Sequence, residues 1–285
     1  MEIIMKVRLQ KWLAHRGIAS RRTIEQWIVA GRVSINKKLA KLGDGVNPGD
    51  EIEINGRRLR VPNEEYTVPP RTVVLNKPLG LICSRHDEQG RPTIYELIPD
   101  PKGKRWISVG RLDLNTTGVL LLTTDGDLAH RLMHPSQNIE REYLVRVQGV
   151  VSETALSRMA EGVELDDGPA HFDLVELYGG GGTNRWYRVV LREGRKREVR
   201  RLWESQGFIV NRLIRVRFGT IQLGKKLRAG EYMELEPAQR DSLYQLAGLT
   251  PPVDTPEPKS DQTRRERRGR TLKIPKERPS RFKQV

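Results

Sequence analysis

One carboxylate stands apart in this chain. Asp113 lies in the run GRLDLNTTG (110–118), directly ahead of the all-apolar stretch 119–122. An acid at the mouth of a buried strand is partly desolvated, which by itself raises its pKa. Arg111, two residues earlier, or a more distant arginine would hold it ionised. A carboxylate so placed can serve as a nucleophile or a general base. Spacing alone is equally met by a turn aspartate capping the amides of Thr116 or Gly118. Other patterns carry less. His130 and His134 are four residues apart, but no third ligand accompanies them, so no metal site is expected. The glycines at 179–182 lack the GxxxxGK[ST] spacing and read as a flexible hairpin loop. Cys83 is the single cysteine, which excludes an internal disulfide. It reads as a buried strand residue, since nothing beside it would activate a thiol.

The elements that must position these groups follow from periodicity. In the first sixty residues, Leu9, Trp12 and Leu13 share one helix face, and Gly17 ends that segment. Ser20 is a good N-cap for a second helix that buries Ile24, Trp27 and Ile28 and stops at Gly31. Strands are expected at 33–36 and 51–54 with turns between them. Further on, strands are expected at 73–76, 80–84, 106–109, 119–124, 143–148, 172–177, 186–191, 209–217 and 232–235. Helices are expected at 127–133, 153–161, 197–206 and 237–246. Many strands with a few helices between them predict an α+β fold with a large, mostly antiparallel sheet and flanking helices.

The chain has 285 residues, with 51 Lys and Arg against 36 Asp and Glu, a formal charge of +15. No apolar run approaches the ~20 residues needed to cross a bilayer, which excludes a membrane-spanning helix. The first twelve residues carry charges where a secretion signal needs an apolar run, so a cytoplasmic protein is expected. Residues 6–41 hold ten basic residues and one acid, Glu25; residues 259–285 hold eleven basic residues and three acids. Charge concentrated at both ends of a mixed centre suits a polyanion partner, with RNA first. The predicted organisation is a small RNA-binding unit at 1–62, a linker at 63–70, a body at 71–250 and a disordered Pro- and Arg-rich tail at 251–285.

Family resemblance sharpens this reading. The segments Arg8-Leu9, Ser20-Arg21-Arg22, Ala30-Gly31-Arg32-Val33 and Pro48-Gly49-Asp50 resemble the S4 RNA-binding domain. The resemblance implies that Arg8, Lys11, Arg21, Arg22 and Arg32 present charge to RNA phosphates. GRLDLNTTGVLLLTTDG (110–126) resembles the catalytic motif of RsuA-type RNA pseudouridine synthases. EREY (140–143) and EGRKREVRRL (193–202) are similar to two further motifs of that family, in the same order, and Asn76-Lys77-Pro78 and Met133-His134-Pro135 match shorter ones. Within the family, GRKREVRRLWES and the basic tail look most like the synthases that act on large-subunit ribosomal RNA.

The resemblance implies roles residue by residue. Asp113 matches the essential aspartate. Tyr143 matches the tyrosine that packs on the target base. Arg200 matches the basic residue that pairs with the aspartate, and Leu213 an apolar residue lining the pocket. Isomerising uridine to pseudouridine breaks N1–C1′, turns the base and forms C5–C1′, with no redox step and no group donor, so neither cofactor nor metal is implied. Asp113 could attack C1′ or remove the C2′ proton, and both need the ionised carboxylate. The target base must leave its stack to reach the pocket. The partner implied is large-subunit (23S) ribosomal RNA or its precursor particle, met by a monomer. Two alternatives stand beside this: a non-catalytic S4-bearing ribosome-assembly factor, and the same activity on small-subunit RNA.

Overall fold

A computed structural model describes residues 7–62, 69–85, 87–101, 104–181 and 183–253. Most of the expected linker (63–68) and most of the expected tail (254–285) lie outside the described residues.

The N-terminal unit begins with strand β1 (Val7–Arg8), helix α1 (Leu9–His15) and helix α2 (Arg21–Val29). The Ser20 side chain accepts the Thr23 amide at 3.0 Å, as its N-cap position predicts. Strands β2 (Val33–Ile35), β3 (Lys38–Leu39), β4 (Gly45–Val46), β5 (Glu51–Ile54) and β6 (Arg57–Arg60) follow. Four of them form the sheet β3-β2-β5-β6, while β1 pairs with β4. Leu9, Leu13 and Ile24 from the helices meet Val33, Ile52 and Val61 in a separate core.

The larger unit holds β7 (Thr72–Lys77), β8 (Ile107–Ser108), β9 (Thr117–Thr123), α3 (Gly126–Met133), β10 (Arg141–Gln148) and α4 (Glu153–Glu161). A small hairpin, β11 (Val163–Leu165) and β12 (Gly168–Ala170), leads to β13 (Leu174–Gly181), β14 (Asn184–Leu191) and α5 (Glu198–Glu204). The chain then runs through β15 (Val210–Phe218), β16 (Ile221–Gln222), β17 (Tyr232–Glu234) and α6 (Pro237–Leu246). The nine-stranded sheet has the path β13-β14-β10-β15-β9-β7-β17, with β16 on β15 and β8 on β9. Its pairs are antiparallel except β15 with β9.

Period-two alternation sorts the strands between two cores. Val73, Leu75, Leu120, Leu122, Tyr143 and Val145 face one core, closed by residues of α4 and α5. Val74, Val119 and Leu121 face the other, closed by α3 and α6. Trp203 of α5 is fully buried, its ring 5.0 Å from Tyr187 and 6.4 Å from Phe172. That aromatic anchor fixes α5, and with it Arg200, against the sheet.

Three local expectations are corrected. Residues 80–84 form no strand; only an isolated bridge joins Ile82 to Thr93. Cys83 is buried as expected but lies outside any strand. Glycines 179–181 are not a loop: they complete β13, opposite Trp186, Arg185 and Asn184, after a bulge. At Gly180 the backbone is positive in φ, and a Cβ would sit 2.7 Å from the Asn184 carbonyl.

Candidate active site

The Asp113 loop is built from its carbonyls. Five consecutive main-chain oxygens each accept a hydrogen bond from a different part of the fold or from the loop itself. Leu112 O takes the Cys83 thiol at 3.3 Å. Asp113 O takes Lys77 Nζ at 3.1 Å and the Thr116 amide at 3.0 Å. Leu114 O takes the Gly80 amide at 3.0 Å, Asn115 O takes Arg200 Nη2 at 2.9 Å, and Thr116 O takes Lys77 Nζ at 3.0 Å. A loop with five consecutive carbonyls engaged has few alternative conformations, so its one acidic side chain is held in a fixed place. Asp113 itself is half-buried rather than dry.

Lys77 is the centre of this arrangement. Its side chain is wholly buried and also donates to Pro78 O at 3.1 Å. Burial pushes the ammonium below the ordinary lysine range, opposed by Cys83 and Asp113.

Asp113, Arg111, Tyr143 and Leu213 all line one cleft of about 990 Å³, within the upper range for ligand sites. Tyr143 is on β10 and Leu213 on β15, both buried, and Arg111 is exposed at the edge. The structure thus brings together four of the residues predicted for the site. Arg200 is not a direct partner of Asp113. Its guanidinium is buried and spans Val210 O at 2.8 Å and Asn115 O at 2.9 Å, and no ion pair joins it to Asp113. Helix α5 lies behind the loop, so Arg200 reaches the backbone two residues past the acid rather than the carboxylate. Burial lowers the Arg200 pKa, with Arg197 adding to that and Asp113 opposing it.

Two residues of the site were given no individual role by the sequence reading. One is Lys77, in the matched segment Asn76-Lys77-Pro78, whose partners are carbonyls that no spacing announces. The other is Arg215, which lines the cleft and is 3% exposed. The segment NRLIRVRFG carries three arginines, and nothing in its spacing separates Arg215 from Arg212 and Arg217.

The basic residues of the N-terminal unit divide. Arg22 and Arg32 are exposed; Arg32 Nε donates to Asn55 at 2.7 Å and lies 5.6 Å from the Trp27 ring. Arg8 donates to Gly43 O at 2.9 Å. Lys11, half-buried, and Arg21, exposed, reach the larger unit, 2.6 and 3.8 Å from Asp127 in the first turn of α3. His134 Nδ1 contacts Ser136 Oγ at 2.7 Å, and among the described residues no group of three metal-ligating side chains forms. No helix among the described residues is long and apolar enough to cross a membrane.

Comparison with known proteins gives the same partition. Residues 71–205 match the model of the RNA pseudouridylate synthase family, and residues 7–52 match the S4 domain. The chain is 52% identical over 249 residues to ribosomal large subunit pseudouridine synthase B of Escherichia coli K12, covering 87% of this chain and 85% of that protein. It is 50% identical over 245 residues to the protein of the same name in Pseudomonas aeruginosa, covering 86% of this chain but 63% of that longer relative. A solved pseudouridylate synthase superposes with a TM-score of 0.58 at 31% identity, covering 83% of this chain and 99% of the other.

Proposed function

The chain belongs to the RNA pseudouridylate synthase family, and on that premise we propose that it converts a specific uridine of large-subunit (23S) ribosomal RNA to pseudouridine, with Asp113 acting at the ribose. The observation that carries this reading is the carbonyl-anchored loop, which presents one half-buried carboxylate to a cleft shared with Tyr143 and Leu213. The Tyr143 ring offers a face for the everted base and Leu213 an apolar wall. Asp113 is placed to meet positive charge developing at C1′, whether it attacks that carbon or takes the C2′ proton. Arg200 is a positioning residue, acting through the Asn115 carbonyl.

The large-subunit target rests on the names of the E. coli and P. aeruginosa relatives and on the length shared with the former. RNA engagement by the N-terminal unit rests on its S4 match and on exposed Arg22 and Arg32. A monomer working in the cytoplasm fits this substrate. The test is incubation of the full chain with large- and small-subunit RNA carrying 5-tritiated uridine. Tritium release from the large-subunit RNA at a single mapped nucleotide is expected; release from small-subunit RNA alone would overturn the target, and release from neither the activity.

A further inference from the structure

The register of β15 changes its two faces midway. Leu213 lies opposite Val145 and Arg215 opposite Tyr143, but a bulge follows, and Arg217 lies opposite Glu142. A bulge shifts the alternation by one residue and re-aims the side chains beyond it. Arg217 therefore joins Glu140 and Glu142 on the back of the sheet, at 3.0 and 2.9 Å, while Arg215 shares the cleft face with Tyr143 and Leu213.

Arg215 has no such acids. It is 97% buried, its Nε donates to Val119 O at 2.7 Å, and its guanidinium carbon lies 5.2 Å from the Phe218 ring centre. Its Nη2 is buried and has no hydrogen-bond partner among the described residues. A buried guanidinium N–H left unpaired is costly, and a planar donor in the wall of an open cleft is suited to a planar acceptor supplied by a ligand. Its backbone is fixed as closely as the side chain. The parallel β9–β15 pairing sets Gly118 opposite Arg215, so near that a Cβ on Gly118 would lie 2.1 Å from the Arg215 carbonyl. The Asp113 loop and Arg215 are thus joined by one close contact.

We infer that Arg215 is a catalytic residue that donates to a carbonyl oxygen of the target uracil and holds the negative charge the base acquires as it leaves the ribose. When N1–C1′ breaks, its electron pair goes to the base and spreads onto O2 and O4. The base turns, C5 bonds to C1′, the C5 proton is lost and N1 gains one, so the reaction is an isomerisation with no other reagent. A base lying on Tyr143 places its edge toward the cross-strand neighbour of Tyr143, and a preorganised cation there acts where charge develops. This rests on the pseudouridine synthase reading above.

The test uses the full chain as wild type, Arg215→Met and Arg215→Lys, under single turnover, with ribosomal RNA containing either uridine or 5-fluorouridine at the target. Fluorine stabilises the departing base anion and so substitutes for part of the cation's role. Arg215→Met is expected to slow uridine conversion about 100-fold at unchanged RNA affinity, yet to slow loss of 5-fluorouridine by less than about tenfold. Arg215→Lys, which keeps the charge without the planar donor, is expected between wild type and Met, with the same bias toward fluorouridine. Equal slowing of both substrates, in whichever variant folds, would assign Arg215 a structural role and overturn the inference, as would a Met variant at the wild-type rate. Failure of the wild type to convert either RNA would remove the underlying reading instead.

Discussion

Lys77 Nζ donates to the main-chain carbonyl of Asp113 at 3.1 Å from a fully buried side chain. The contact joins the end of β7 to the loop 36 residues later, and the same ammonium bonds Pro78 O and Thr116 O. Lys77→Met keeps the apolar stem but removes the ammonium from three carbonyls, of which Asp113 O keeps the Thr116 amide. A loss of about 2–4 kcal/mol is expected by chemical denaturation, with turnover reduced about tenfold or more because the Asp113 loop loosens. A variant with unchanged stability and rate would show that the loop needs no such anchor.

Gly118 is required for a close approach. Its φ is +104°, and a Cβ there would meet the Arg215 carbonyl at 2.1 Å. Gly118→Ala must part β9 from β15 and adopt an unfavourable backbone. A destabilisation of about 2 kcal/mol or more is expected in thermal melts, with activity falling further than stability.

The two units are latched by Lys11 and Asp127, 2.6 Å apart. Burial pushes the Asp127 carboxyl up, but the Lys11 ammonium, with Arg21 and His15 nearby, outweighs it and holds the pKa below the ordinary range. A depressed carboxyl contributes stability above its unfolded value, near pH 4, and loses it as pH falls through the folded value. Both side chains are substantially exposed, so the contribution is below about 1 kcal/mol. Limited proteolysis of the N-terminal unit should quicken in acid for the wild type, and already at neutral pH in Asp127→Asn. Equal susceptibility at all pH values would remove the latch.

Arg22 is exposed and forms no ion pair among the described residues. Arg22→Ala is expected to weaken RNA binding several-fold, with a shallower salt dependence by about one counterion and an unchanged rate at saturating RNA. Filter binding across a salt series checks this; an unchanged slope would place RNA elsewhere.

Much of this architecture is readable from residue order, for identifiable reasons. Helices α4 and α6 match their expected bounds because Ser152, Glu236 and Pro237 mark the starts. Asp113 and Tyr143 were legible through the segments GRLDLNTTG and EREY that resemble family motifs, whereas spacing alone left Asp113 equally readable as a turn aspartate. The tie between Arg200 and the loop was not, because Arg200 bonds a carbonyl rather than the acid, and every backbone oxygen looks alike in a sequence. Arg215 shares the face of Leu213 by simple alternation, but no matched motif assigned it a role, and only the bulge after it separates it from Arg217. The glycines of β13 read as a loop because glycine signals freedom, whereas here Gly180 is needed for a close backbone approach to Asn184.

Asp113→Asn bears most directly on the account. The substitution is nearly isosteric, and the side chain is half-exposed, so the melting temperature should hold while catalysis is lost. With large-subunit RNA carrying 5-tritiated uridine, the wild type should release tritium and the variant should fall by about 1,000-fold or more, with RNA binding intact. Release by a folded Asp113→Asn protein at a rate close to wild type would contradict the assignment of the reacting carboxylate.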